Sequence, residues 1–274
     1  MKRKEKELCA LIVGAGAVQN AWRPVLRALQ PYFPMPLTSD GANTHLARMI
    51  YLLRWWGCVD TDLGRKMLSE TLAHFNEVKA SIASEIIFSQ KSGEIVKRDS
   101  LTAIVDKFIV PTAGRFILLS TNWDSVVETA IYDHLNQDYN CAINAIRIHG
   151  RADDPSRMYF PTEVTKEPYR SKEEDKAIGT IHGAAWQTLE TASRAIVYGL
   201  SLAPLDAELC QILACGWASK KLKEIIVINP SHEEVAHRVN VLLDRRFRIS
   251  VYGMSPDDLD NRLDYTISKP SKKA

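Results

Sequence analysis

The chain has 274 residues, 46% of them hydrophobic and 25% charged, so it can bury a sizeable core and is too apolar for a disordered or fibrous protein. Its 35 basic and 33 acidic residues leave a formal charge of +2, which gives no electrostatic support for nucleic acid or for an anionic membrane surface as a partner. No apolar stretch approaches a bilayer span, and the charged start Met1 to Glu7 runs into a strand-like segment without a small-residue cleavage site, so a cytoplasmic protein is expected.

The five cysteines, Cys9, Cys58, Cys141, Cys210 and Cys215, are scattered and form no C-x-x-C pair. That argues against a zinc ribbon or a secreted disulfide framework and reads as buried thiols, with no metal expected.

In chain order, Leu8 to Val13 is a short apolar run that breaks into Gly14, Ala15, Gly16 and Ala17. A helical pattern follows through Trp22, Val25, Leu26 and Leu29. A strand, a glycine turn and a helix start make a corner where backbone N–H groups can approach a phosphate. A dinucleotide fingerprint would place its third glycine at Gln19, and Pro31, Pro34 and Pro36 stand between the turn and Asp40 where a second strand should be, so an ordinary dehydrogenase is not expected.

From Ala42 to about Val110 the spacing turns helical, through Leu46, Met49, Ile50 and Leu53 and then Met67, Leu72, Phe75, Val78, Ile82 and Ile86. This predicts a helical insertion after the first strand, residues 42–110, with Trp55 and Trp56 filling space between helices, Gly93 at a turn and Asp99 with Ser100 capping a last helix before Pro111.

The apolar run Phe116 to Leu119 then ends in Ser120, Thr121, Asn122, Trp123 and Asp124. Further strands are expected at Ala145 to Ile148, Ala195 to Tyr198, Ile225 to Ile228 and Arg248 to Tyr252, alternating with helices at Ser125 to Leu135, Ile178 to Ala192, Leu205 to Ala218 and His232 to Leu243. The alternation predicts a single α/β domain over residues 1–274, a Rossmann-like, mostly parallel sheet with helices on both faces, and a frayed tail from Lys269.

Polar residues stand at every strand end: Gly14 to Ala17, then Thr121, Asn122 and Asp124, then His149 and Gly150, then Gly199, Leu200 and Ser201, then Asn229 and Pro230. In a sheet of this kind all five sets open onto one edge, where ligands bind. Each also has an ordinary reading. Asn122 and Asp124 suit a helix cap, His149 before Gly150 a turn, Ser201 a cap for the helix that Pro204 and Asp206 begin, and Asn229 before Pro230 a turn pair. Their recurrence in this order, each after an apolar strand, is what those readings leave unexplained.

The ordered set, G-A-G, T-N-W-D, H-G, G-L-S-L with a later Pro and Asp, and I-N-P, resembles the sirtuin-like NAD-binding domain, and within it the bacterial sirtuin-like NAD hydrolases of anti-phage defence more than the protein deacylases. The resemblance runs discontinuously over Leu8 to Leu243 and skips the insertion. It implies that Gly14, Ala15 and Gly16 hold the NAD diphosphate, with Gly199 and Thr121 in the same cofactor site. Ser201 and Asn229 would hold the phosphate and adenosine ribose. Asn122 would position the nicotinamide ribose and the attacking water, and His149 would bind ribose hydroxyls and act as a base. Asp124 would line the nicotinamide side or orient Asn122.

The chemistry suits these residue types, because breaking the nicotinamide bond releases a neutral leaving group from a cation and asks for geometry and a base more than for a strong acid. Deacylases of the family carry a zinc module with two C-x-x-C pairs. Here the stretch between Gly150 and Ile178 holds no cysteine and only a short insertion, Arg151 to Lys176. Their Pro-Asp-Phe-Arg element is replaced by Val18 to Pro24, with Arg23 a candidate to reach the phosphates.

The leading expectation is therefore NAD hydrolysis to nicotinamide and ADP-ribose with NAD as substrate. An NAD or ADP-ribose sensing module and a deacylase without zinc are the alternatives. Control by self-assembly into a homo-oligomer, or by a separate partner such as a HerA-type hexameric ATPase, is implied by the resemblance, with the insertion as the candidate contact surface.

Overall fold

The structure is a computed structural model that describes residues 8–112, 115–139, 143–259 and 266–267. Cys141 and the tail from Lys269 lie outside them. The strands are β1 (Cys9–Val13), β2 (Val18–Gln19), β3 (Val96–Lys97), β4 (Phe116–Ser120), β5 (Ala145–Arg147), β6 (Arg194–Tyr198), β7 (Glu224–Ile228), β8 (Ser250–Met254) and β9 (Thr266–Ile267). The helices are α1 (Arg23–Leu29), α2 (Ser39–Gly57), α3 (Asp62–Lys91), α4 (Ser100–Ile104), α5 (Val126–Tyr139), α6 (Lys172–Leu189), α7 (Ala207–Trp217) and α8 (His232–Leu242).

Seven strands form one sheet in the order β5-β4-β1-β6-β7-β8-β9, parallel except for β9, which runs antiparallel to β8. The fold is thus the expected Rossmann-like α/β sheet. β8 begins at Ser250, two residues later than the expected Arg248, and follows a turn in which Asp244 and Arg246 pair. No helix of the described residues is long and apolar enough to cross a membrane.

The buried strands alternate between two cores, as a doubly covered parallel sheet requires. Cys9, Leu11 and Val13 face one core together with residues of α1 to α5, while Ala10 and Ile12 face the other with α6, α7 and α8. The insertion belongs to the first core: Leu46, Ile50, Phe75, Val78 and Ile82 pack in the same cluster as Leu11 and Leu118. Residues 42–110 are therefore a helical layer on the sheet. α2 is capped by Thr38 and α3 by Thr61, each side chain accepting from the third residue onward.

Three details of the insertion differ from the sequence expectation. Trp55 is 54% exposed and stacks on exposed Tyr51, while Trp56 is half-buried, so this pair does not fill the core. Asp99 occupies the position before α4 with helical backbone angles and no side-chain cap, and the Ser100 hydroxyl bonds that of Tyr198. Cys58, at the end of α2, is exposed rather than buried. Gly93 does take the left-handed turn, at φ +72.

The registers set the site. Val13 pairs with Ser120 on one side and Tyr198 on the other, and Tyr198 pairs with Ile228, so the central strands end at one level. The ladder continues one residue beyond, with Thr121 N–H donating to Val13 and Gly199 N–H to Ile228. Strand order reverses about β1, with β4 and β5 to one side and β6 to β8 to the other, and such a switch point opens a crevice at the strands' carboxyl ends.

Candidate active site

A cavity of about 550 Å³ lies in that crevice. Ala15, Gly16, Thr121, Asn122, Asp124, His149, Gly199, Ser201 and Asn229 all line it, so residues from five strand ends converge on one space. Gly14 is the one expected site residue that does not line it. The turn after β1 packs directly on the turn after β6: a Cβ at Gly16 would meet the Cα of Gly199 at 2.8 Å, and one at Gly199, whose φ is +66, would meet the Ala17 nitrogen at 2.4 Å. The glycines are therefore required first for the approach of two backbones. The amides follow suit, with Gly14 N–H donating to Tyr198 O, Gly16 N–H to Gly199 O and Ala17 N–H to Gly14 O.

Asn122 follows β4 and is 5% exposed, and among the described residues neither its side-chain amide nitrogen nor its side-chain oxygen has a hydrogen-bond partner. A buried amide in that state costs about 1–3 kcal/mol, which a fold does not accept without return. Its neighbours explain why it is not a cap. Asp124 does that work, its Oδ1 accepting from Val126 N–H at 2.9 Å, and the capping reading holds for it. Burial raises the Asp124 pKa, with the Val126 amide and the Arg147 guanidinium opposing the rise. Arg147, at the end of β5, donates to the Asp124 carbonyl and pairs with Glu128 at 3.1 Å, which fixes the turn that presents Asn122.

β5 stops at Arg147, one residue earlier than expected, and Ile148 and His149 lie in the turn beyond it. His149 is 4% exposed, and its Nε2 lies 3.3 Å from Oδ2 of Asp206, off the alignment of a hydrogen bond. Burial alone would lower the imidazole's pKa, but the Asp206 carboxylate and the Thr121 backbone outweigh it and hold the ring above its usual value. Asp206 sits just before α7 without a side-chain cap to it, and its second oxygen, Oδ1, is buried without a partner among the described residues. The ordinary reading of Pro204 and Asp206 as a helix start hides this role. The sole sequence signal is an acid a few residues past G-L-S-L.

The segment between β5 and α6 holds His149 in place. Tyr159 stacks on the His149 ring at 5.7 Å and 20°, and its N–H donates to the His149 carbonyl. The Tyr159 hydroxyl donates to Glu163 O, and the buried Glu163 carboxylate accepts from Phe160 N–H and the Tyr169 hydroxyl. His182 of α6 contacts the Ile148 carbonyl, and burial lowers its pKa. Arg54 of α2 pairs with the buried Glu167, which ties the segment to the insertion. Gly150 must be glycine here: its φ is +74 and a Cβ would lie 2.1 Å from Arg157 O.

One expected contact, the Asn229 amide, is already engaged with protein. Asn229 donates to Leu200 O and accepts from Ser231 N–H, a turn as its sequence context suggests, while the Ser201 carbonyl accepts from Arg238. Arg23 lines the cavity, as expected, and Arg98 joins it from the insertion.

No protein-family model matches the chain, and no curated protein does. Among solved structures it is similar to one described as the structural basis for the mechanism and regulation of Sir2 enzymes, at a TM-score of 0.38 and 11% identity, over 93% of this chain and 89% of that one. The fold assignment rests on the strand order and registers given above.

An unpartnered amide, a paired imidazole and two guanidiniums on one cavity can orient a hydroxylated ligand, accept a proton and neutralise an anion. Part of the wall is apolar, with Trp22, Leu26, Leu202 and Leu205 excluding water from that side of the space.

Proposed function

We propose that the protein hydrolyses NAD to nicotinamide and ADP-ribose. The observation that carries this reading is the unpartnered Asn122 amide facing the same cavity as the His149–Asp206 pair. The sequence resemblance supplies the substrate. In the reaction the bond between ribose C1′ and the pyridinium nitrogen breaks, its electron pair neutralising the ring, so nicotinamide leaves without needing a proton. Water adds to C1′, and its proton passes to His149, whose imidazolium the Asp206 carboxylate stabilises. Asn122 has donor and acceptor faces to fix the ribose and the water, and its place beside His149 in the lining of one cavity supports their acting on one reacting centre.

The bacterial anti-phage setting belongs to this proposal through the same resemblance. An NAD-depleting enzyme requires control, and the stacked, exposed Tyr51 and Trp55 on α2 give a surface for self-assembly or for a separate regulatory partner. Following NAD loss and nicotinamide appearance with purified protein over a concentration series tests the reading. Release of nicotinamide supports it, and NAD that stays intact throughout, with tight binding by calorimetry, replaces hydrolysis with sensing.

A further inference from the structure

A second cavity of about 530 Å³ lies on the far side of the junction between Gly16 and Gly199. The two cavities share four wall residues, Gly16, Arg98, Gly199 and Pro230. Three of these offer only backbone or a ring. The fourth is a guanidinium, so the waist between the cavities has one charged side chain.

How Arg98 comes to stand there follows from the insertion. β3 pairs antiparallel with β2, Lys97 opposite Val18 and Val96 opposite Gln19, directly beyond the glycine turn. Arg98 N–H then donates to Ala17 O at 3.1 Å, and its side-chain Nε donates to Gly16 O at 2.7 Å across 82 residues of sequence. Nε is thereby used, which holds the exposed guanidinium beside the glycine turn. Among the described residues the side-chain bond of Arg98 is this one from Nε, with no carboxylate paired to it, so its terminal N–H groups remain available at the waist.

The Gly14, Gly16 and Ala17 amides of the glycine corner donate to protein carbonyls, so among the described residues only the Ala15 amide of the four is left for an anion. A phosphate at this junction needs another donor, and the fork of an arginine matches phosphate oxygens in pairs. We infer that Arg98, carried by the helical insertion, is the anion clamp of this site, gripping the diphosphate of a ligand whose two ends occupy the two cavities. The inference rests on the proposed NAD-class substrate for its ligand. Its consequence is that the insertion is part of the binding site, and that a displacement of β3 by any contact on the insertion would release the diphosphate.

Calorimetric titration of ADP-ribose into wild type, Arg98→Gln and Arg98→Lys tests this, with melting curves to confirm that each variant is folded. A lost charge-assisted contact predicts affinity about tenfold to a hundredfold weaker for Arg98→Gln, with Arg98→Lys between it and wild type. The salt dependence of binding should also flatten in Arg98→Gln. Affinity within twofold of wild type in a folded Arg98→Gln protein would overturn the clamp. NAD turnover by the wild type, measured alongside, separates the two claims. Arg98-dependent ADP-ribose binding without turnover removes hydrolysis and keeps the clamp. Turnover with Arg98-indifferent binding does the reverse, and a wild type that binds no ADP-ribose overturns the clamp outright.

Discussion

At the residue scale, Asn122 and Asp124 stand two positions apart with similar chemistry and opposite uses. The Asp124 side chain satisfies an α5 amide, whereas the Asn122 side chain satisfies nothing among the described residues. Removing an unsatisfied buried amide relieves its desolvation, so Asn122→Ala should melt at or above the wild-type temperature while losing turnover, and differential scanning calorimetry checks the first half. His149 yields a signed pH prediction. Asp206 raises its pKa and the base must be neutral, so the acid limb of the pH–rate profile lies above the ordinary histidine range. Asp206→Asn should move that limb to lower pH and reduce the rate, and an unmoved limb would remove Asp206 from the mechanism. Gly199→Ala should cost at least about 2 kcal/mol in urea denaturation, because φ +66 and a Cβ 2.4 Å from the Ala17 nitrogen cannot both be accommodated.

At the scale of elements, the strand ends were legible because each apolar run stops at a small or polar residue, and a parallel sheet brings such ends to one edge whatever the loops between them do. Asn122, His149, Gly199 and Asn229 could be placed together on that basis. Arg98 and Asp206 could not. Arg98 reaches Gly16 only through the pairing of β2 with β3, two-residue strands that no hydrophobic period announces. Asp206 sits where an acid before a helix is ordinarily a cap, and its role depends on the fold of a loop. Trp55 and Trp56 misled because α2 is amphipathic around Leu46, Ile50 and Leu53, which leaves Trp55 on its outer side. The tie between α2 and the segment carrying Tyr159 is testable: Arg54→Ala leaves Glu167 buried without its cation and should cost about 2–4 kcal/mol. Loosening that segment should also lower turnover, since Tyr159 braces His149.

At the scale of the whole molecule, the insertion and the sheet share one core, with Phe75, Val78 and Ile82 of α3 in the same cluster as Leu11 of β1 and Leu118 of β4. Unfolding should therefore be one transition, with circular dichroism and tryptophan fluorescence coincident, and an early fluorescence transition would mean that the insertion opens alone. The same shared core lets a contact on the outer face of α2 or α3 reach the cleft, through Arg54 to the His149 segment and through β3 to Arg98. The most direct test of the central claim, that the strand-edge cleft breaks the nicotinamide bond, is nicotinamide release from NAD by wild type and by Asn122→Ala at equal ADP-ribose affinity. Release by the wild type and a fall of about a hundredfold or more in the variant are predicted, while equal rates or no release by either would contradict it.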